Sequence, residues 1–308
     1  MINYTIIIPH KNSADLLEYC LSTIPIRDDV QVIVVDDNSD VDKVDFEHFP
    51  KWKGANYECY FTKEGKGAGY ARNVGLEHAK GKWVLFVDAD DYLTPNADSI
   101  FEENIANDAD VIFFRPKSVM LYDRQTSSDR AELYNERIDR YFVNKDETEL
   151  RVRFFSPTCK FTKHELIDRN NIRFEEIQYS NDNLFAVSIG CTAQKIVVKD
   201  EYFYVITECE NSLHSGYCTK PQELKIRASA FYQVCLFIKN YNYPLDHNVI
   251  HDFLSRMWQT NKDLYAEYFN KFRRILGYSR IQLIRKEFCN NKLISRIKRS
   301  LYAFLITR

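Results

Sequence analysis

Little in this chain of 308 residues serves flexibility or covalent stapling. Only 9 glycines and 8 prolines are present, too few for a collagen-like repeat or long low-complexity linkers. The 8 cysteines are scattered and include no C-x-x-C pair, which argues against a zinc knuckle. The opening Met1-Ile2-Asn3-Tyr4 has neither the basic region nor the apolar core of a secretion signal, so a reducing, cytoplasmic setting is expected. No stretch approaches the roughly 18 consecutive apolar residues of a membrane helix, and membrane contact would have to be peripheral, at the inner face. A net charge of −2 does not advertise a nucleic-acid partner.

What is present is a packed chain. Apolar residues make up 45%, charged residues 28% and aromatics 14%, enough to bury a sizeable core in two domains, or in one large domain with an appendage. Through residue 115, short apolar runs alternate with helical patterns. Tyr4 to Ile8, Val32 to Val35, Tyr57 to Phe61, Trp83 to Val87 and Val111 to Phe114 read as strands. Leu16, Leu17, Cys20, Leu21 and Ile24 recur at helical spacing behind the candidate caps Asn12 and Ser13. Ala68 to Ala79 predicts a second helix, stopped by Lys80-Gly81. Strand alternating with helix predicts an α/β fold, a mostly parallel sheet with helices on both faces. The pattern loosens over 116–215, with a charged stretch at 123–153 and a short helical pattern from Asp182 to Gly190. The region 216–308 reads as an all-helical C-terminal appendage, helical in spacing from Pro221 onward.

Two strands run straight into carboxylates: Val35 into Asp36-Asp37-Asn38-Ser39-Asp40, and Val87 into Asp88-Ala89-Asp90-Asp91. Ligands of open α/β sheets bind beyond the carboxyl ends of the strands, so both clusters are expected to face one crevice. In an extended segment, residues i and i+2 point the same way. Asp88 and Asp90 can then face one hard cation, Mg2+ or Mn2+, leaving positions for phosphate oxygens and water.

Four blocks in order, Ile6-Ile7-Ile8-Pro9-His10-Lys11-Asn12, Val34-Val35-Asp36-Asp37-Asn38-Ser39, Gly69-Tyr70-Ala71-Arg72-Asn73-Val74-Gly75-Leu76 and Val84-Leu85-Phe86-Val87-Asp88-Ala89-Asp90-Asp91, resemble the family 2 glycosyltransferases of the GT-A fold, and among them bacterial surface-polysaccharide enzymes. The resemblance implies a GT-A domain over 1–215, with a nucleotide-sugar-binding half at 1–115 and an acceptor half at 116–215. It implies transfer, with inversion and with Mn2+ or Mg2+, from a nucleotide-sugar donor to a hydroxyl of a glycan or lipid-linked glycan. Pro9, Asp37, Arg72 and Asp88 match donor-binding positions, Asp37 toward the base or ribose and Arg72 toward the diphosphate. Asp90, with Asp88, matches the metal site. One departure is Lys11, which stands where many members place an aromatic able to stack on the base.

The resemblance also places a catalytic base downstream, in an acidic dipeptide opening a short helix. Here that stretch is Tyr179-Ser180-Asn181-Asp182-Asn183, with Asn181 for the usual Glu, so Asp182 is the base to expect; a helix cap is its structural alternative. Haloacid-dehalogenase-like phosphatases are disfavoured because their D-x-D follows the first strand, and dinucleotide oxidoreductases because no G-x-G-x-x-G does. A non-catalytic nucleotide-sugar-binding subunit of a glycan synthase complex stays open on the strength of Asn181. Finally, Lys271 to Arg308 hold 11 basic residues and one acid, Glu287, or +10 against −12 for the preceding 270 residues. Their basic amphipathic pattern fits an anionic membrane surface, or an apolar face packed on the rest of the protein.

Overall fold

The computed structural model describes residues 1–209, 220–279 and 282. The chain divides into two compact units, Met1–Gly216 and Tyr217–Arg308. In the first unit β1 (Tyr4–His10), β2 (Val30–Asp37), β3 (Tyr57–Thr62) and β4 (Trp83–Phe86) form on four of the β-branched or aromatic runs. β1 pairs in parallel with both β2 and β4, and β2 with β3.

Alternation along these strands feeds two layers. Val32 and Val34 join Ile6, Ile8 and the α1 (Ala14–Ser22) residues Leu17 and Cys20 in the main core. Ile33 and Val35 pack instead with Ala71 of α2 (Ala68–Glu77). Helices therefore cover both faces. Gly75 lets α2 close on the sheet: a Cβ there would stand 2.4 Å from Ile7 Cγ2. Lys80-Gly81 does not stop this helix, which ends at Glu77 with His78 as its C-cap. Gly81 instead donates its N–H to Thr5 Oγ1 at 2.8 Å. Ser13 occupies the N-cap of α1, yet its hydroxyl makes no capping bond.

The sheet is more mixed than the sequence pattern predicts. After β5 (Tyr92–Leu93) and α3 (Ala97–Asn104), β6 (Val111–Met120) runs six residues past its apolar start. The charged stretch folds as α4 (Glu132–Asn144) and α5 (Thr148–Arg153). β7 (Lys160–Lys163), α6 (His164–Arg169), α7 (Asn183–Thr192) and β8 (Ile196–Glu208) complete the unit. The strand order is β3-β2-β1-β4-β7-β6-β8-β5. β7 lies antiparallel between β4 and β6, and β8 returns parallel to β6.

The second unit holds α8 (Pro221–Asn240), α9 (His247–Thr260) and α10 (Lys262–Leu276) among its described residues. Their boundaries are chemical: Pro221 opens α8. The Asp246 and Asn261 side chains cap α9 and α10, and Gly277 closes α10 in the left-handed conformation at φ 66°. Leu224, Phe231 and Val234 of α8, Ile250 and Leu254 of α9, and Leu264 and Phe272 of α10 are buried. Of the basic segment 271–308, the structure describes 271–279 and 282; the remainder of its amphipathic pattern lies outside the described residues. No helix among the described residues is long and apolar enough to cross a membrane.

Candidate active site

The carboxyl ends of β1, β2 and β4 open into a cleft of about 590 Å3 lined by Pro9, His10, Lys11, Asp37, Arg72, Asp88, Asp90 and Asp91, together with Arg130 and the 206–209 segment that ends β8. Pro9 pairs with Val35 in the parallel register of β1 and β2, and that register brings the two strand ends to one level. Asp36 turns the other way. Its carboxylate takes His10 Nδ1 at 2.7 Å and the Ser39 hydroxyl, while His10 Nε2 accepts from Ser13 N–H at 3.2 Å. This buried network pins the turn after β1 to the turn after β2. Asp37 Oδ2 accepts from Gly67 N–H at 2.8 Å and lies 3.5 Å from Lys11 Nζ. Its Oδ1 is buried with no hydrogen-bond partner among the described residues.

The D-x-D segment is a turn rather than an extended strand, because Asp91 N–H bonds to the Asp88 carbonyl at 3.0 Å. Alternation is therefore not what brings Asp88 and Asp90 to one cleft. Buried Asp91 is held from β8, by the Tyr204 hydroxyl at 2.8 Å and Thr207 N–H at 2.7 Å. Asp90 reaches solvent inside the cleft, yet protein walls it closely. Burial, and then the charge of Asp88, push its carboxyl up to about 6.

No side chain among the described residues hydrogen-bonds Asp90, and no group of three or more ligating side chains is assembled among them. Two carboxylates with the remaining positions left to phosphate oxygens and water is a donor set that suits Mg2+ or Mn2+.

Arg72 is 6% exposed. Its Nη2 donates to Asp88 Oδ1 at 2.6 Å and its Nη1 to Asn181 Oδ1 at 3.2 Å. The plane of the guanidinium lies near the Phe174 ring, 5.3 Å from centroid to Cζ. Its two bonded nitrogens thus tie the end of β4 to the start of α7. Gly69 permits the approach of that second segment: a Cβ there would stand 2.3 Å from the Glu175 carbonyl oxygen.

Asp182 occupies the N-cap position of α7, but its side chain makes no capping bond. Burial raises its pKa against the opposing charge of Arg72, with Asp88 adding to the rise. Lys160 is also close enough for its charge to act on Asp182. It is 3% exposed, bonds the Phe154 carbonyl at 3.3 Å and contacts the Phe113 and Phe154 rings. Burial pushes its pKa down to about 7.

The structure thus gathers Pro9, Asp37, Arg72, Asp88 and Asp90 in one cleft, with Asp182 adjoining through Arg72 and Asp88. Sequence reading missed Tyr204, Thr207 and Arg130. No local pattern marks them, since β8 and the segment before α4 reach the cleft only through the sheet order.

Residues 5–170 match the profile of glycosyl transferase family 2. Among characterised proteins, the chain is 27% identical over 255 residues to the poly(ribitol-phosphate) β-N-acetylglucosaminyltransferase TarS of Staphylococcus aureus, covering 77% of this chain and 40% of that protein. It is 27% identical over 227 residues to a poly(ribitol-phosphate) β-glucosyltransferase of Bacillus spizizenii, covering 71% and 34%. The chain therefore spans about 40% or less of the length of these two relatives. The crystal structure of S. aureus TarS 1–349 with UDP-GlcNAc superposes with a TM-score of 0.60 at 21% identity, over 89% of this chain and 81% of that one. That likeness establishes the GT-A fold, and the described helices α8 to α10 form the C-terminal helical appendage. By its matched profile, this chain belongs to glycosyl transferase family 2.

Proposed function

We propose that this chain is an inverting, metal-dependent glycosyltransferase that moves one sugar from a nucleotide diphosphate donor to a hydroxyl of a glycan or lipid-linked glycan. The observation that carries the proposal is the meeting of Asp37, Asp88 and Asp90 in one cleft, where, among the described residues, Asp37 Oδ1 lacks a donor and Asp90 lacks a side-chain hydrogen-bond partner. In this reading Pro9 and Asp37 receive the nucleoside, the carboxylate accepting from a ribose hydroxyl or a base N–H. Arg72 holds Asp88 in place, Asp88 serving the ribose side of the metal site. Asp90 is the metal ligand, and the cation, when bound, neutralises charge on the leaving diphosphate. A mannosyltransferase of Pyrobaculum calidifontis was solved with GDP-Man and Mn2+ and superposes at a TM-score of 0.50 with 17% identity, which supports a divalent ion.

Asp182 takes the proton of the acceptor hydroxyl as that oxygen attacks the anomeric carbon. The bond from that carbon to the diphosphate oxygen breaks, and the nucleoside diphosphate departs with the electron pair. A single displacement of this kind inverts the anomeric centre. An uncommitted carboxylate at Asp182 supports the enzyme reading over a non-catalytic binding subunit.

The TarS complex makes UDP-GlcNAc the first donor to test, and the relatives' names make a polyol-phosphate chain a reasonable acceptor. We place the reaction in the cytoplasm, with the basic segment 271–308 facing an anionic membrane surface. Thermal-shift measurement with UDP-, GDP- and dTDP-sugars, with and without Mn2+, tests the donor half. A ligand at 100 times its Kd stabilises by about 2.7 kcal/mol, and no shift with any donor defeats the proposal. Sedimentation with anionic vesicles at low salt, lost on truncation before Lys271, tests the membrane half.

A further inference from the structure

The cleft contains two guanidinium groups, and their circumstances differ. Arg72 is buried, and its two terminal nitrogens are taken by Asp88 and Asn181. Its 2.6 Å pair with Asp88 holds the β4 end, which gives Arg72 a structural task in the cleft. Arg130 lines the same cleft, is half-exposed, and has no hydrogen bond or ion pair among the described residues. Its charge acts on Asp90, the residue assigned to the metal, across the same cleft.

Its backbone is anchored. Ser128 N–H donates to the Ser118 carbonyl at 3.1 Å, the Ser118 hydroxyl donates to the Ser128 carbonyl at 2.8 Å, and Ala131 N–H donates to that hydroxyl at 3.0 Å. An isolated bridge joins Val119 to Ser127. The turn carrying Arg130 is therefore tied to β6 on both sides of the residue, and a fork-shaped donor is presented from a fixed base. A planar guanidinium with free N–H groups suits the oxygens of a phosphate, which it can bind in a bidentate way.

We propose that Arg130 is a phosphate-binding guanidinium of this cleft, its ligand being the diphosphate of the donor or a phosphodiester of the acceptor. The proposal rests on the glycosyltransferase reading of the site.

Calorimetric titration of the full chain with Mn2+ decides it, using UDP, uridine and a synthetic glycerol-phosphate oligomer as probes against wild type, Arg130→Gln and Arg130→Lys. The expected result is a loss of at least about tenfold in affinity for a phosphate-bearing probe in Arg130→Gln, partial retention in Arg130→Lys, and unchanged uridine binding and Tm. Loss confined to UDP identifies the donor diphosphate as the ligand, and loss confined to the oligomer identifies the acceptor. Wild-type affinity of Arg130→Gln for both phosphate probes overturns the proposal, as does a parallel loss of uridine binding, which would mark a merely structural residue. A wild-type chain that binds neither UDP nor uridine would instead remove the nucleotide-sugar reading on which the proposal stands.

Discussion

The Tyr204 hydroxyl closes the D-x-D turn from a strand 113 residues away from Asp91. It donates to Asp91 Oδ2 at 2.8 Å and accepts Asp88 N–H at 3.0 Å, so a single fully buried phenol braces both ends of the segment that bears Asp90. Tyr204→Phe removes both bonds while leaving the ring. It should cost about 1–3 kcal/mol, the penalty for unsatisfied buried polar groups, read by urea denaturation. Metal-dependent donor affinity should fall as well. A variant with wild-type stability and donor affinity would show that the turn holds itself.

Asp90→Asn should abolish metal-dependent donor binding and leave the fold intact, as read by calorimetry and circular dichroism. The raised carboxyl of Asp90, about 6, adds a pH dependence. Below that value a proton competes with the cation, and metal-dependent affinity should fall about tenfold per pH unit. Full turnover in EDTA would remove the metal from the reaction.

Asp182→Asn should lower kcat by about 10²-fold or more while donor Kd stays nearly unchanged. Because burial raises the Asp182 pKa, the acidic limb of the kcat profile should lie above the ordinary Asp value of about 3.9, activity falling as pH drops through it. Loss of donor binding in this variant would move Asp182 into the nucleotide site, and unchanged turnover would leave it no chemical role.

Lys160 carries a stability prediction. Its folded pKa, about 7, is below the unfolded value of about 10.4, so between these values the unfolded chain binds more protons and stability rises with pH. The penalty of burying the charge is full below pH 7 and relieved toward pH 10. Lys160→Met should therefore raise stability by about 1–4 kcal/mol near pH 6, with the gain shrinking as pH increases. Equal gains at pH 6 and pH 10, measured by denaturant titration, would contradict this.

The sequence by itself determined the first half of the sheet. Runs such as Ile6-Ile7-Ile8 and Val32 to Val35 are short, β-branched and buried on both faces, so local composition suffices to make them strands. It also determined which strand ends carry acid, since Asp36-Asp37 and Asp88 directly follow their apolar runs. The tertiary structure decided how those acids are held. The D-x-D closes as a turn because Tyr204 and Thr207 of β8 bind Asp91, a partnership made by strand order. Arg72 reads as a surface helix residue or a ligand-binding cation in sequence. In the fold its two terminal nitrogens are taken by Asp88 and Asn181, and Arg130, inside an undistinguished charged stretch, lines the same cleft with no hydrogen bond or ion pair among the described residues. Periodicity reports which face of an element is apolar. Which polar groups satisfy one another depends on contacts between residues 16 to 116 positions apart, and no local pattern encodes those.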